Sequence, residues 1–301
     1  MKTMNKTLFA VVTIILFVSC KERKKENSEA EVSQATTEKV ENTISIPDTW
    51  VVSRVKKAKE QLFKTEAGKV VWASMEAHGG LDTWYKNGPL GMRFKYLPLD
   101  GKTIRDSYEV VDLWNNRVVH TSIEDPESKF GFTGEETWVK AKDSTTFDYD
   151  VKFWALTPLY LMGHPFVEDG KGVNLELLPE TTYKGKKNKL VKVTYDPGTG
   201  DAPDDYYILH FDAETNVLVA TRYIVSYPEY FKNGGHNPEK FMEVGELVDV
   251  NGVLLPSELK THWTVDGKPG EYITKIEISE LEFKPDLPAD FFDIPEGAKQ
   301  L

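Results

Sequence analysis

Histidines are the residues of this chain best suited to acid–base or metal chemistry, and their spacing favours neither. No two are separated by the one to three residues that bring two imidazoles to one zinc ion, so a metal site would have to assemble from distant strands. We therefore expect no metal and no catalytic residue. The histidine at position 78 is expected at a helix end, and those at 210 and 262 on the water-facing side of strands. The six are His78, His120, His164, His210, His236 and His262.

Other catalytic and cofactor patterns are missing from the sequence. It contains no GxSxG, GxGxxG or GxxxxGK[ST] segment, the patterns of hydrolase nucleophiles and of nucleotide-binding loops. Pairs of acidic side chains are inevitable among 48 Asp and Glu residues, so pairing alone does not indicate glycosidase chemistry. We predict no cofactor, and a hydrolase with a dispersed site stays as an alternative.

One acidic loop could bind a cation. Residues 196–205 carry four aspartates and two flexible glycines, and carboxylate oxygens are the ligands that Ca²⁺ prefers. The loop lacks the EF-hand spacing, however. A calcium site and a solvated connection between strands both remain open.

The single cysteine, Cys20, ends an apolar N-terminal stretch. Leu8 to Val18 carries no charge and follows Lys2 and Lys6, but eleven helical residues span only about 16 Å, roughly half of a bilayer core. This pattern is typical of a signal peptide, here residues 1–19.

The segment Phe17-Val18-Ser19-Cys20 resembles the lipobox of bacterial lipoproteins, although Phe17 stands where Leu is usual. The resemblance implies that Cys20 becomes the lipid-bearing N-terminus and anchors the chain in the cell envelope. Because Lys21 rather than Asp follows it, the outer membrane is favoured over the inner one. The alternative is an ordinary signal peptide with an incidental cysteine.

Composition separates a tether from one folded domain. Residues 20–48 comprise the cysteine and a segment rich in Glu, Lys, Ser and Thr without aromatics, which is typical of a flexible tether. Residues 49–301 are predicted to form one domain. A net charge of −11 argues against nucleic-acid binding, and one cysteine excludes a disulfide scaffold.

Helical periodicity is confined mainly to the start of the domain. Apolar residues spaced by three and four predict one helix from Arg54 to His78. Gly79 and Gly80 then favour a helix stop with a left-handed backbone. A short helical turn carrying Trp84 is expected over residues 81–85.

Strands dominate the rest of the domain. Alternating segments joined by turn-forming residues predict consecutive hairpins, and thus a long antiparallel sheet with one face in water and the other covered by helices. We predict an α+β, mainly antiparallel β fold. The turns are at Asp100-Gly101, Asn115-Asn116, residues 212–216, Asn251-Gly252 and Asp266-Gly267.

An unusually apolar segment spans residues 147–166 and is interrupted by Pro158. Proline breaks a helix, so the segment should bend or form a loop. It could be a core helix lying on the sheet, or a mobile plug at a hydrophobic cavity. Both interpretations are compatible with its large aromatic and methionine side chains.

The order of these features resembles the half-barrel superfamily of lipoprotein-localisation carriers, and more narrowly half-barrel lipoproteins of Bacteroidota. The resemblance implies a curved, incomplete barrel that can shelter an acyl chain on its concave side, beneath helices. Carriers of the superfamily lack a lipid anchor, whereas their outer-membrane acceptors carry one, as expected here. The resemblance to the superfamily rests on four sets of residues: Glu76–Gly80 before Trp84, Tyr206–Asp212 leading to Tyr223, Pro165-Phe166, and Pro288–Phe291.

The leading hypothesis is a non-enzymatic, membrane-anchored envelope lipoprotein that binds a lipid or another apolar small molecule. The alternative is an interaction or scaffold lipoprotein with a packed interior that holds an envelope protein partner. Six side chains are predicted to line or close the cavity: Trp84, Phe153, Trp154, Tyr160, Met162 and Phe166.

Overall fold

A computed structural model describes residues 42–101, 104–202 and 204–301 of the 301-residue chain. The predicted signal peptide, Cys20 and most of the predicted tether lie outside the described residues.

The helices occupy two regions of the chain. Two short helices fall in the apolar segment, which is thus broken as its proline predicts, and a 3₁₀ helix begins at the last residue of the segment. In the described part, the helices are α1 (Asp48–Leu62), α2 (Glu66–Ala77), α3 (Leu81–Lys86), α4 (Val151–Trp154), α5 (Thr157–Met162) and a 3₁₀ helix (Phe166–Asp169).

The single helix predicted from Arg54 to His78 is wrong, because the structure divides it into α1 and α2. Thr65 starts α2: its backbone is extended and its hydroxyl accepts a hydrogen bond from the Gly68 amide at 3.0 Å. Such a side-chain cap satisfies one of the free amides at a helix start. The apolar spacing continues across the break, which is why periodicity alone joined the two helices.

The predicted helix stop at Gly79-Gly80 is confirmed. Gly79 has φ +112° and Gly80 φ +89°, and the Gly80 amide donates to the Met75 carbonyl at 2.8 Å. A Cβ on Gly79 would lie 1.9 Å from the Gly252 carbonyl oxygen. Gly79 is therefore needed both for its backbone angle and for close contact between the end of α2 and the Asn251-Gly252 turn.

The strands form mostly consecutive antiparallel pairs. They are β1 (Leu90–Pro98), β2 (Arg105–Asp112), β3 (Arg117–Ser122), β4 (Lys129–Phe132), β5 (Thr137–Lys140), β6 (Val173–Tyr183), β7 (Lys186–Tyr195), β8 (Tyr207–Asp212), β9 (Leu218–Tyr223), β10 (Lys240–Val244), β11 (Leu247–Val250), β12 (Val253–Pro256), β13 (Glu258–Val265), β14 (Lys268–Phe283) and β15 (Lys299–Gln300).

Within the described residues, thirteen strands make one sheet in the order β15-β5-β4-β3-β2-β1-β14-β13-β10-β9-β8-β7-β6, and β11 pairs with β12. Its edges are β15 and β6, so the curved sheet does not close into a barrel. The predicted fold, an α+β half-barrel meander with helices on one face, is confirmed.

The main core lies between the helices and one sheet face, called the inner face below. It joins side chains such as Trp84, Met162 and Phe166 to Phe94 and Leu209 of the strands. A smaller core on the outer face contains Val110, Val119, Trp138 and Phe292. The chain near the C-terminus thus covers part of the face that the helices leave free.

The folded region includes residues that the sequence assigns to the tether. Thr43 forms a β-bridge with Pro288, and the Ile44 amide donates to the Leu287 carbonyl at 2.7 Å. These contacts begin six positions before the predicted domain start at 49. None of the helices in the described ranges is both long and apolar enough to cross a membrane.

Candidate functional site

Residues 151–169, called the covering segment below, lie over the inner face as α4, α5 and the 3₁₀ helix. The Asp150 carboxylate accepts hydrogen bonds from the Lys152 and Phe153 amides at 3.0 and 3.2 Å, which starts α4. Pro158 lies in the first turn of α5, where a proline costs no hydrogen bond. Because helices of four and six residues hold few hydrogen bonds of their own, the segment depends on its packing for order.

Three of the predicted cavity residues are packed into the core. Trp84, Met162 and Phe166 are at most 2% exposed. The Trp84 and Phe166 rings stack with centroids 4.8 Å apart and planes 7° apart. These side chains join the covering segment to α3.

The other three predicted cavity residues, Phe153, Trp154 and Tyr160, are half-buried. Phe153 contacts the rings of Tyr227 and Tyr230 at centroid distances of 5.3 and 5.2 Å. Five of the six residues thus lie in or against the main core, and Tyr160 lies on α5 of the covering segment. Their role as a ligand-binding set stays a prediction.

A buried polar cluster on the inner face was missed by the sequence analysis. Arg105, Glu109 and His120 are 0% exposed and lie on β2 and β3. Arg105 Nη2 donates to His120 Nδ1 at 3.0 Å, so the ring proton belongs on Nε2, which donates to the Ala155 carbonyl at 2.8 Å. The cluster thereby connects the sheet to the start of the covering segment.

Burial sets the charge of this cluster. It raises the pKa of Glu109 to about 8, against the opposing effect of Arg105, and it lowers the pKa of His120 well below its ordinary value, with the Arg105 charge adding to the effect. At neutral pH His120 is therefore uncharged, and the Glu109 carboxyl is mostly protonated. The guanidinium of Arg105 remains as a positive charge.

The geometry of this cluster does not fit a catalytic triad. A Ser–His–acid triad needs the serine and the acid on opposite nitrogens of the histidine. Here the Ser107 hydroxyl and the Glu109 carboxyl both face His120 Nδ1, at 3.5 and 3.3 Å. The opposite nitrogen is occupied by the Ala155 carbonyl.

A second buried polar cluster lies at the other end of the covering segment. His164 Nδ1 is 2.8 Å from Glu168 Oε1, and both side chains are 0% exposed. The His164 ring packs edge-on against Tyr207 of β8, with centroids 4.9 Å apart. Burial raises the pKa of the Tyr207 phenol well above its ordinary value.

An ion pair fixes the last residue of the covering segment to α1. Arg54 Nε and Nη2 donate to the two Asp169 carboxylate oxygens, each at 2.7 Å. The Tyr85 hydroxyl donates to the same carboxylate at 2.8 Å. The segment is therefore held at residue 169 by charge, and at Ala155 by one hydrogen bond.

The alternation of β2 could have drawn attention to Arg105. Arg105, Ser107 and Glu109 occupy every second position of the strand, and so share one face. Their polarity indicates a face in water, whereas they face the core. Sequence alone does not reveal that the covering segment packs over them.

The expected position of His78 at a helix end is confirmed, whereas that of His210 needs correction. His78 ends α2 but is 1% exposed, and its ring lies between the Leu254 carbonyl and the Leu218 amide at 3.0 and 3.1 Å. His210 was expected in water but is 2% exposed, because Tyr183 and Phe241 pack against its ring. His262 is partly exposed, with 16% of its side chain accessible.

These buried histidines predict loss of stability in acid. Desolvation, with a smaller effect of Arg222, lowers the pKa of His210 to about 4, against about 6.5 in an unfolded chain. The unfolded state therefore binds more protons as pH falls below 6.5, and this group costs about 2 kcal/mol of stability between pH 7 and pH 5. Burial of His78 acts in the same direction, and burial of Glu109 in the opposite one.

The measurement is urea denaturation of the wild type and of a His210→Phe variant at pH 5 and pH 7. The variant should lose about 2 kcal/mol less than the wild type on acidification. An equal loss of stability between pH 7 and pH 5 in both proteins would contradict the assignment of the acid effect to His210.

The acidic loop at 196–205 does not gather its carboxylates in the described residues. Asp196 accepts a hydrogen bond from Asn174 Nδ2 at 2.8 Å, and Asp205 accepts two from Ser226. Over the described ranges, which omit position 203, no group of three or more His, Cys, Asp or Glu side chains is placed to hold a metal ion.

A pocket of about 360 Å³ opens beside α4. It lies between the β4–β5 turn and the chain after β9, so it separates two distant parts of the sheet. The residues that line it are Phe132, Glu135, Glu136, Thr137, Lys152, Asp201, Tyr227, Pro228, Glu229 and Leu301.

Three solved structures are similar to this chain. A LolA superfamily protein from Nitrosomonas europaea aligns with a TM-score of 0.50 and 9% identity, over 76% of this chain and 98% of that one. A DUF1329 family protein from Desulfovibrio piger aligns with a TM-score of 0.47 and 10% identity, over 74% and 97%. A domain named for outer membrane lipoprotein sorting, from Vibrio parahaemolyticus, aligns at 0.45 and 7%, over 72% and 97%.

At such low identity the first likeness establishes the fold alone. No protein-family model and no curated protein matches the sequence.

Proposed function

We propose that the chain is an envelope lipoprotein, anchored through Cys20, that binds a lipid or another hydrophobic ligand between the covering segment and the inner face. It does so without catalysis. The observation that carries the proposal is the covering segment itself: short helices that lie over the apolar face of an unclosed sheet, with Phe153, Trp154 and Tyr160 only half-buried. Opening such a segment breaks few hydrogen bonds and exposes a surface suited to an acyl chain.

The pocket beside α4 supports a route for the ligand. Lys152 and Tyr227 line it, and Tyr227 also packs against Phe153. Movement of α4 would extend the pocket under Phe153 and Trp154. The fold shared with the LolA superfamily protein is consistent with this proposal.

A second candidate function is supported by the packing of Trp84 and Phe166. These rings fill the region between α3 and the covering segment. A filled interior suits an interaction lipoprotein that holds an envelope protein on its surface. The two candidates differ in whether apolar molecules occupy the inner face.

The deciding experiment is extraction of the purified chain with organic solvent, followed by mass spectrometry. We expect close to one apolar molecule per chain. In a Phe153→Asp variant, occupancy should fall at least tenfold, because a carboxylate would be buried against the ligand. Leu177→Asp is the matched control, since Leu177 is 47% exposed on edge strand β6. A wild type free of lipid, or equal occupancy in both variants, would favour the interaction protein.

Anchoring is tested separately by a Cys20→Ala variant. Several acyl chains at about 0.8 kcal/mol per buried CH₂ group bind a membrane almost irreversibly. If its signal peptide is still removed, the variant should therefore move from the membrane fraction to the soluble fraction. It should lose acyl labelling whether or not the signal peptide is removed. Unchanged incorporation of radiolabelled palmitate would show that Cys20 is not the lipidated residue.

A further inference from the structure

The guanidinium of Arg105 is buried with much of its hydrogen-bonding capacity unused. Its side chain is 0% exposed. Nη2 contacts His120 Nδ1 at 3.0 Å and the Ser107 hydroxyl at 3.3 Å. In the described structure, Nε and Nη1 have no hydrogen-bond partner. A buried N–H without a partner costs free energy, so this arrangement calls for an acceptor.

The surroundings of Arg105 are aromatic. Its guanidinium carbon lies 4.7 Å from the ring centroid of Trp154, 5.0 Å from that of Phe94 and 5.8 Å from that of Tyr149. Ring faces attract a cation but accept hydrogen bonds poorly. The rings stabilise the charge, and the Tyr149 hydroxyl also interacts with Arg105, but among the described residues no acceptor lies within hydrogen-bond geometry of Nε or Nη1.

The nearby acid does not neutralise this charge. Glu109 Oε1 is 3.9 Å from Arg105 Nη2, beyond hydrogen-bond distance. Its pKa is raised by burial to about 8, which leaves the carboxyl mostly protonated at neutral pH. Tyr149 and His120, the other titratable groups beside Arg105, are also neutral because burial raises the pKa of the first and lowers that of the second.

We propose that Arg105 binds the oxyanion of an acyl ligand, a carboxylate or a phosphate at the end of its hydrocarbon chain. This inference rests on the proposed function and specifies its ligand as an anionic lipid. The oxyanion accepts hydrogen bonds from Nε and Nη1, and the chain extends along the apolar inner face. An oxyanion is the acceptor that matches a buried, uncompensated guanidinium best.

Access to Arg105 requires movement of α4. Trp154 of α4 covers the guanidinium, and the next residue, Ala155, is held by His120 Nε2. Lifting this helix breaks the Ala155 hydrogen bond and separates Trp154 and Phe153 from the rings they contact, among them Tyr96 and Tyr227, and the ligand would replace these contacts. Arg105 would thus be exposed only when the covering segment opens.

The experiment uses the full chain in a neutral maltoside detergent and a photoreactive hexadecanol as the probe. Palmitate, hexadecyl phosphate and hexadecanol compete for labelling. Either anion should compete at a concentration at least tenfold lower than the alcohol, which corresponds to about 1.4 kcal/mol. The concentrations at which palmitate and hexadecyl phosphate compete show whether a carboxylate or a phosphate is preferred.

Arg105→Met should reduce the tenfold preference to near unity, while the alcohol still competes. Arg105→Lys keeps the charge and should keep at least a threefold preference. The matched control is Arg93→Met, since Arg93 pairs with Asp106 at 2.8 Å outside this cluster, and it should behave as the wild type.

Two failures are distinguishable. If the wild type is labelled and competed by all three compounds equally, or if Arg105→Met keeps the preference, the role of Arg105 is overturned but lipid binding stands. If no compound competes and labelling is nonspecific, the proposed function itself fails. The wild-type comparison decides the matter even if Arg105→Met does not fold.

Discussion

Replacement of Trp84 by Ala should lower the free energy of unfolding by about 4 kcal/mol. Trp84 is 2% exposed, stacks on Phe166 at 4.8 Å and packs edge-on against Phe283 at 6.2 Å. Truncation of a buried tryptophan removes its apolar contacts and leaves a cavity, which costs about 3–5 kcal/mol. Urea denaturation followed by circular dichroism measures the change.

Trp50→Ala is the control, because Trp50 is 36% exposed and contacts Tyr85 at a centroid distance of 5.1 Å. We expect a loss of about 1 kcal/mol. The comparison also bears on function. If Trp84 lines a hollow that a ligand fills, the apo protein should lose much less than 4 kcal/mol, and added lipid should stabilise the wild type more than the variant.

Short-range signals in the sequence predicted the sheet well. Asn251-Gly252 and Asp266-Gly267 form the turns expected of them, with φ between +50° and +83° at all four residues. Such a turn fixes the pairing of its flanking strands, so consecutive hairpins determine most of the strand order. The stop at Gly79-Gly80 was predicted from an equally local signal, since both glycines have positive φ.

Features that depend on distant partners were not predictable. The break at Thr65 is different, because its cap on Gly68 is local and was hidden only by the continuous apolar spacing. The burial of His210 depends on contacts from Tyr183 and Phe241, residues far away in the chain. Arg105 likewise looks like a surface residue until Trp154 is placed over it. Charge or polarity alone does not reveal which side of a strand is covered.

The apolar segment combines features that local sequence predicts with features that depend on distant residues. Its proline predicted the break, and its composition predicted either a helix packed on the sheet or a plug at a hydrophobic cavity. The two residues that hold the covering segment by polar contacts, Arg54 on α1 and His120 on β3, could not be identified from the sequence of the segment itself. How firmly it is held therefore depends on residues more than 30 positions away, and the stronger of the two contacts can be removed by one substitution.

Arg54→Met should lower the free energy of unfolding by about 3 kcal/mol. It removes both 2.7 Å hydrogen bonds to Asp169, whose side chain is 4% exposed. The carboxylate would keep only the Tyr85 hydroxyl, and loss of one partner from a buried ion pair costs about 3–5 kcal/mol. We place the value at the low end because 31% of the Arg54 side chain is exposed. Urea denaturation at pH 7 measures it.

A double-mutant cycle separates the ion pair from other effects. Adding Asp169→Leu to Arg54→Met should recover part of the lost stability, because no unpaired buried charge remains. Lys56→Met is the surface control, since Lys56 and Glu60 are 3.9 Å apart and largely exposed, and it should change stability by less than about 0.5 kcal/mol.

The Arg54→Met variant also tests how the covering segment is held. With the ion pair gone, amides in α5 should exchange hydrogen faster than those of strand β8, which the pair does not contact. If both regions lose protection equally, the segment unfolds only with the whole domain. A ligand beneath it would then need global opening to leave. Selective exchange in α5 would instead support a segment that opens by itself, as binding beneath it requires.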